Sequence, residues 1–409
     1  MTVFQFSLHL LILLTGAISA LFCVYHGYVF LRGAFKPLSS LPKAEPGKRI
    51  AVIIPARNEE KVIGKLVDSL LRQNYPSRLY RIWVAVNQCS DRTEQFAEAA
   101  GAGIIRVTDR VTCKGDVLRF CFQALSDAGE DYEGYLILDA DNLADPQFLQ
   151  TANDALCAGY DVCQSYRDSK NPKGSCWSGC MSVFFWFMSD LYNRCRSAIG
   201  YSVPLNGTGI LISDTALQKL GYRTETLTED LEFTAQCALA GLKIGYLPDA
   251  LTYDEQPLRF RDTFIQRRRW AAGAWQCFKK YGLQLLKNAV RNVNCRDVLF
   301  QLSGIPYQML SLIPGICTFL LMAVRGEITI AGMLLCLLLM LLITEIGGLI
   351  FVFIIDRIGR TGRKPHRGTW IAMGLFMLTW IPANLLALFT RPPKWVIIPR
   401  ADNSEKNPV

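Results

Sequence analysis

The stretch Ile50-Ala51-Val52-Ile53-Ile54-Pro55-Ala56-Arg57-Asn58-Glu59 opens with five consecutive apolar residues and closes in a polar turn. An unbroken apolar run of this length, rich in β-branched residues, reads as a strand buried on both faces. Immediately after it, Glu59 to Arg72 spaces Val62, Ile63, Leu66, Val67, Leu70 and Leu71 along one helical face. The unit then repeats: a strand over Arg81 to Val86, a helix from about Asp91 to Gly101, a strand over Ile104 to Val107, a helix over Gly115 to Ala128, and a strand over Tyr135 to Leu138. Such alternation predicts an α/β, Rossmann-like fold: a mostly parallel sheet with helices on both faces. Sheets of this kind bind ligands at the carboxyl ends of their strands. Polar residues fall there three times, in Pro55-Ala56-Arg57-Asn58-Glu59, Asn87-Gln88-Cys89-Ser90-Asp91 and Asp139-Ala140-Asp141. Any one of these could be plain turn and cap chemistry; three on one edge favour a site.

On either side of this region the composition changes. The chain has 409 residues, of which 51% are hydrophobic, and the excess is concentrated at its ends. Phe4 to Phe30 exceeds the ~20 residues needed to span a bilayer, and with no basic start it reads as a retained anchor rather than a cleaved leader. Leu302 to Ala323, Ile328 to Ile355 and Thr369 to Phe389 are further spans. Pro306 and Pro314 in the first of these predict a kink or a re-entrant turn. Arg32, Lys36, Lys43, Lys48 and Arg49 follow the first span, and Arg357, Arg360, Arg363, Lys364 and Arg367 follow the third, so both loops are expected on the cytoplasmic side of a plasma (inner) membrane. Arg391, Lys394 and Arg400 strain that topology. The expected division is a transmembrane helix over 1–32, a basic linker over 33–49, a cytoplasmic catalytic domain over 50–258, interfacial amphipathic helices over 259–300, transmembrane helices over 301–389 and a tail over 390–409.

The net charge of +9 is accounted for by these juxtamembrane clusters, which suit membrane lipid headgroups. No zinc-finger or RNP-like pattern accompanies it, so nucleic acid is not an expected partner. Fourteen cysteines without a Cys-x-x-Cys pair, and only three histidines, argue against zinc and for free thiols in a reducing compartment.

Three further patterns carry chemistry. Asp139-Ala140-Asp141 ends an apolar strand with two hard oxygen ligands, the kind Mg²⁺ or Mn²⁺ takes when phosphates and water complete its shell. Thr228-Glu229-Asp230 offers a carboxylate to accept a hydroxyl proton, or simply a helix start with Thr228 as N-cap. Gln266-Arg267-Arg268-Arg269-Trp270 offers planar donors for phosphate and an indole for stacking. The same run, with Phe260, Phe264, Trp275 and Phe278, also reads as a helix lying on a membrane surface. Gly207-Thr208-Gly209 lacks the third glycine of a dinucleotide fingerprint.

In this order, these motifs resemble the membrane-bound family 2 glycosyltransferases with a GT-A catalytic domain, relatives of the synthases of cellulose, hyaluronan and poly-N-acetylglucosamine. The resemblance covers about Arg49 to Tyr281 by motif. It implies that Pro55, Asn58 and Glu59 border a nucleotide pocket, that Lys114 lies near the uridine or phosphates, and that Asp139 and Asp141 hold nucleotide and metal. It also implies Asp230 as catalytic base, Gly207, Thr208 and Glu229 at the acceptor side, and Gln266, Arg269 and Trp270 on the diphosphate and acceptor end. One position departs: Asn87 stands where the family carries an Asp contacting the base, leaving an amide contact or a shift to Asp91. The implied reaction is inverting sugar transfer from a nucleotide diphosphate, a UDP-sugar, to a lipid-linked or polysaccharide acceptor. Single addition to a lipid such as ceramide or diacylglycerol, and a non-catalytic scaffold with export-complex partners, are the alternatives. Glu345, inside the third apolar run, is expected either to pair with Asn384 and line a path, or to serve helix packing.

Overall fold

The computed structural model describes residues 3–109 and 111–390; the tail with Arg391, Lys394 and Arg400 lies outside them. The eight strands are β1 (Ile50–Ala56), β2 (Tyr80–Val86), β3 (Gly103–Arg106), β4 (Gly134–Ile137), β5 (Leu143–Ala144), β6 (Val162–Ser169), β7 (Ile210–Ser213) and β8 (Ile244–Asp254), in sheet order β3-β2-β1-β4-β7-β6-β8-β5. Successive side chains of β1 feed two cores. Ala51 and Ile53 join Tyr135, Ile137 and Phe122 on one face; Ile50, Val52 and Ile54 join Leu66, Leu70 and Leu136 on the other. Because both faces are covered by helices, the strand has no solvated side and carries no polar alternation.

The first four strands pair in parallel, as the alternating pattern predicts. The rest of the sheet departs from it, since β7 runs antiparallel to β4 and to β6, and β5 antiparallel to β8. This reversal is what builds the site. An antiparallel strand begins at the edge where its parallel neighbours end, so Gly207-Thr208-Gly209, just ahead of β7, comes beside the end of β4, with Gly209 N donating to Ile137 O at 2.9 Å. β6 is parallel to β8, and their carboxyl ends, Arg167 and Asp254, arrive at the same edge.

Among the described residues, four helices are long and apolar enough to cross a membrane: Val3–Ala34, Gly304–Val324, Ile330–Ile358 and Thr369–Phe389. The helix of Gly304–Val324 continues through Pro314, so the expected re-entrant turn does not form; Pro306 sits in its first turn, where the missing N–H is no loss. The break falls instead in the last segment, between Thr369–Leu378 and Trp380–Phe389, three residues ahead of Pro382, which cannot donate to Leu378 O. Arg267 fills this break, donating to Phe376 O at 3.1 Å and Thr379 Oγ1 at 2.9 Å. Asn384 does not reach Glu345; it donates to Gln308. Glu345 lies against Gly374, where the third and fourth segments approach through Gly348 and Gly374 too closely for a Cβ on either.

The first membrane helix is joined to the rest by a buried polar cluster. Arg196 and Asp297, both fully buried, pair at 2.9 Å, and Asp297 also accepts from Tyr25 at 2.8 Å and Gln301 at 2.7 Å. The Asp297 carboxylate thus has partners on both oxygens, as burial requires.

Candidate active site

Two strand-end loops form one wall. Asn58 and Gln88 both hold a positive φ, 57° and 50°, conformations that Asn tolerates better than most residues. The loops lock together: Asn58 Oδ1 accepts from Ser90 N at 2.8 Å, and Glu59 N donates to Thr93 Oγ1 at 2.8 Å. Asp91 is consumed in this work, accepting from Glu60 N at 3.1 Å and Thr93 N at 3.0 Å. Burial opposes its ionisation, but the hydrogen bonds from Thr93 and Glu60 hold it below the usual carboxylate range. Asn87, by contrast, is buried with its Oδ1 lacking a partner among the described residues. Of the two, Asn87 is the one with an acceptor to spare.

The chemistry gathers one and two strands further along the edge. Lys114 Nζ donates to Asp139 Oδ1 at 2.5 Å and to Gly207 O at 2.6 Å, and stands 3.5 Å from Glu229 Oε1. Burial works against its charge, but Asp139 and Glu229 win and hold its pKa above the ordinary lysine value. Asp139 N donates to Thr208 Oγ1 and to Asn142 Oδ1, both at 3.1 Å, so Thr208 braces the carboxylate loop rather than facing outward. Asp141 is buried. Asp139 and Asp141 are the donor set a hard divalent ion takes when it completes its shell from substrate; among the described residues no cluster of three or more such ligands exists.

Asp230 lies in the first turn of the helix Glu229–Leu239, beside Gly207 (φ 81°), where an added Cβ would sit 3.5 Å from Asp230 Oδ2. Burial, and then the neighbouring charge of Glu229, push its pKa up to about 7, against the opposing pull of Leu231 N–H, Lys114 and Arg167. A carboxylate poised there can accept a proton near neutral pH. Thr228 occupies the N-cap position but makes no side-chain cap bond; its hydroxyl turns to Cys277 Sγ.

That turn reflects the approach of the long helix Phe260–Asn288. Gly273 packs so closely on Thr228 that a Cβ there would meet the Thr228 side chain at 2.5 Å. Gln266, Arg269, Trp270 and Gly273 share a face at helical spacing, and Gly273 seats that face against Thr228, at the start of the helix Glu229–Leu239. Arg269 is half-buried and pairs with no carboxylate among the described residues, and Gln266 Oε1 is buried without a partner. Trp270 packs edge-on to Phe185 at 5.9 Å and along Trp380 at 6.5 Å, so its ring is part of the wall between sheet and membrane helices.

Two residues that motif reading passed over belong to the same edge. Arg167 donates to Asp254 through Nε at 2.7 Å and to Asn206 O at 2.7 Å, with its guanidinium 3.8 Å from the Phe185 ring. Burial pushes Asp254 up to about 6, Arg167 pulls it down, and the charges of Asp141 and Asp139 push it up again, so these carboxylates face one space. Asp254 ends β8 and Arg167 lies near the end of β6, but Gln164 and Ser165 in β6 and Pro248 and Asp249 in β8 interrupt the apolar run that singled out Asp139.

A mixed sheet with carboxylates, a lysine and an arginine on one edge, joined to membrane-length helices, defines a GT-A type glycosyltransferase. The family described as glycosyltransferase like family 2 matches residues 46–273, and the chain belongs to it. It is 26% identical over 265 residues to the beta-monoglucosyldiacylglycerol synthase of Trichormus variabilis, covering 61% of this chain and 54% of that protein. To glucomannan 4-beta-mannosyltransferase 1 of Oryza sativa it is 24% identical over 155 residues, 37% of this chain and 30% of that one. The chain spans about half the length of the monoglucosyldiacylglycerol synthases it matches. Among solved structures, the mannosyltransferase PcManGT from Pyrobaculum calidifontis, in complex with GDP-Man and Mn²⁺, shares the fold at a TM-score of 0.61 and 17% identity, covering 92% of this chain and 99% of that one.

Proposed function

We propose that this glycosyltransferase moves a sugar, with inversion, from a UDP-sugar to a lipid-linked or polysaccharide acceptor at the cytoplasmic face of a membrane. The observation that carries the proposal is Asp230, a half-buried carboxylate pushed up to about 7 beside the network of Lys114, Asp139 and Glu229. In this reading the acceptor oxygen attacks the anomeric carbon, the bond from that carbon to the diphosphate breaks, and the acceptor proton passes to Asp230. Asp139 and Asp141 would hold Mg²⁺ or Mn²⁺, which when bound supplies positive charge against the diphosphate. Lys114 sits where it offsets the same charge, and Arg269, with no carboxylate of its own, is suited to grip a phosphate in the plane of its guanidinium. Pro55, Asn58, Glu59 and Asn87 would border the base, with the spare Asn87 Oδ1 taking a donor from it. Glu229, Gly207 and Thr208 would flank the acceptor, with Gln266 and Trp270 closing the membrane side.

The working division is a catalytic domain over 50–258, motif-bearing helices over 259–300 and membrane helices on either side. A second reading, single addition to diacylglycerol, draws support from the 26% identity over 265 residues with a monoglucosyldiacylglycerol synthase. Full-length protein incubated with UDP-sugars, Mn²⁺ and membrane lipid decides: UDP release lost in Asp230→Asn supports the mechanism, full activity in that variant sinks it, and a product ladder or single adduct in mass analysis separates the two acceptors.

A further inference from the structure

A cavity of about 500 Å³ lies away from the catalytic edge. It opens where the first membrane helix ends, at Ala34 and Leu38, and where the third ends, at Ile358 and Arg360. Its inner wall is Tyr166 of β6 and Tyr246 of β8, with Asp190 and Arg194 from the segment after Trp186. That segment, Phe187–Asn193, is wound as a π-helix, a rare form that commonly marks a functional position.

The polar groups of this cavity are not those of a sealed core. Tyr246 is 7% exposed, and its hydroxyl lies beside the Ser189 side chain, which also lines the cavity. Arg194 donates to Gly33 O, Ala34 O and Lys36 O at 3.1 to 3.3 Å but pairs with no carboxylate among the described residues. Arg360 brings a second positive charge, shared with the exposed Asp249. A facing acid, Asp190, accepts from Tyr166 at 2.7 Å and from Arg360 N at 3.4 Å, and burial holds its pKa up at about 6. Ala34, Leu38, Leu191 and Ile358 supply an apolar side continuous with the membrane helices. The volume is that of a ligand pocket, and basic pockets between helices at this level of a membrane suit anionic headgroups.

We infer that this cavity binds one anionic phospholipid with a polyol headgroup, its phosphate towards Arg194, Arg360 and the Tyr246 hydroxyl, and a headgroup hydroxyl donating to Asp190. The inference rests on the membrane placement of the flanking helices and not on the sugar-transfer reading. The occupant lies against Tyr166, whose neighbour Arg167 holds Asp254 at the catalytic edge, so lipid and catalysis share one strand.

Tyr246→Phe tests this without enlarging a side chain. Removing a hydroxyl whose protein neighbour is Ser189 is expected to leave the protein folded in phosphatidylcholine nanodiscs. If the hydroxyl serves a lipid phosphate, the same change weakens retention of phosphatidylglycerol about tenfold. Native mass spectrometry of the full chain is expected to show one phosphatidylglycerol held by wild type, and little held by Tyr246→Phe or by Leu38→Trp, which fills the cavity. Melting temperature is expected to rise in wild type on adding phosphatidylglycerol to the nanodiscs, and not with glycerol phosphate alone. Equal retention of phosphatidylcholine and phosphatidylglycerol by wild type, undiminished retention by Tyr246→Phe, or a full shift from glycerol phosphate alone would each overturn the proposal. UDP release measured in parallel reports on the catalytic reading separately.

Discussion

Two regions of this protein bury charge, and they do it in opposite ways. Around Asp297, at the foot of the first membrane helix, Arg196, Tyr25 and Gln301 satisfy the carboxylate on both oxygens. At the sheet edge, Asp139, Asp141, Asp230 and Asp254 share one space with Lys114 and Arg167, and burial, reinforced by neighbouring carboxylates, pushes Asp230 and Asp254 up. A balanced cluster holds helices together; an under-compensated one is poised for a ligand that brings the missing charge.

The sharpest break of that contrast is Asp230→Asn. Loss of the general base should lower turnover by about a hundred- to ten-thousand-fold, while the melting temperature holds or rises because a strained acid is gone. UDP release and a thermal melt on the same sample check both halves. The opposite outcome is expected at Asp297→Ala, which leaves Arg196 buried without its partner and should cost about 3–5 kcal/mol of stability, read from denaturant or thermal unfolding. Replacing Arg196 and Asp297 together by Met and Leu should recover most of that loss.

Next in size is Gly273→Val. The added side chain would meet Thr228, and overpacking of this kind costs about 1–3 kcal/mol. Here the contact also seats the motif, so turnover should fall more than the melting temperature suggests; a comparison with Gly282→Ala on the same helix makes the distinction.

The pH profile sharpens the comparison further. A base must be ionised, and burial with Glu229 raises Asp230 to about 7, so kcat/KM should fall about tenfold per pH unit below that value. Stability moves the other way. A carboxyl whose folded pKa is raised stabilises the fold fully below the ordinary carboxylate range, and that contribution fades as pH climbs through about 7. Opposed slopes of rate and stability between about pH 4 and about pH 7, both levelling off above that, are the expected signature, and their disappearance in Asp230→Asn would assign them. The smallest effect is expected at Asn87→Asp, which leaves the loop bonds intact and should shift donor preference by a few-fold in a competition between UDP-sugars and GDP-sugars.

Much of this was legible before any coordinates. Ile50–Ala56 and Gly134–Ile137 announce themselves because strands covered on both faces must be continuously apolar, and the polar residues that end them have nowhere to lie but the edge. The role of Arg267 was not legible. Three adjacent arginines look alike in sequence, but helical spacing sends them in different directions: Arg267 turns to the break at Thr379 while Arg269 points away from it. The partner of Asn384 was misread for a related reason, since distance along apolar helices gives no register between them, and Gln308 stood nearer than Glu345.

By itself, then, the sequence determined the first four strands, the membrane-length helices and the carboxylates that follow the fourth strand, because hydrophobic patterning and turn chemistry are local. Only the tertiary structure decided that β7 runs backwards, that Arg167 and Asp254 join Asp139, and that Gly273 seats the motif helix on Thr228. Those are consequences of strand direction and of close approach between distant segments, and no local pattern encodes which segments meet.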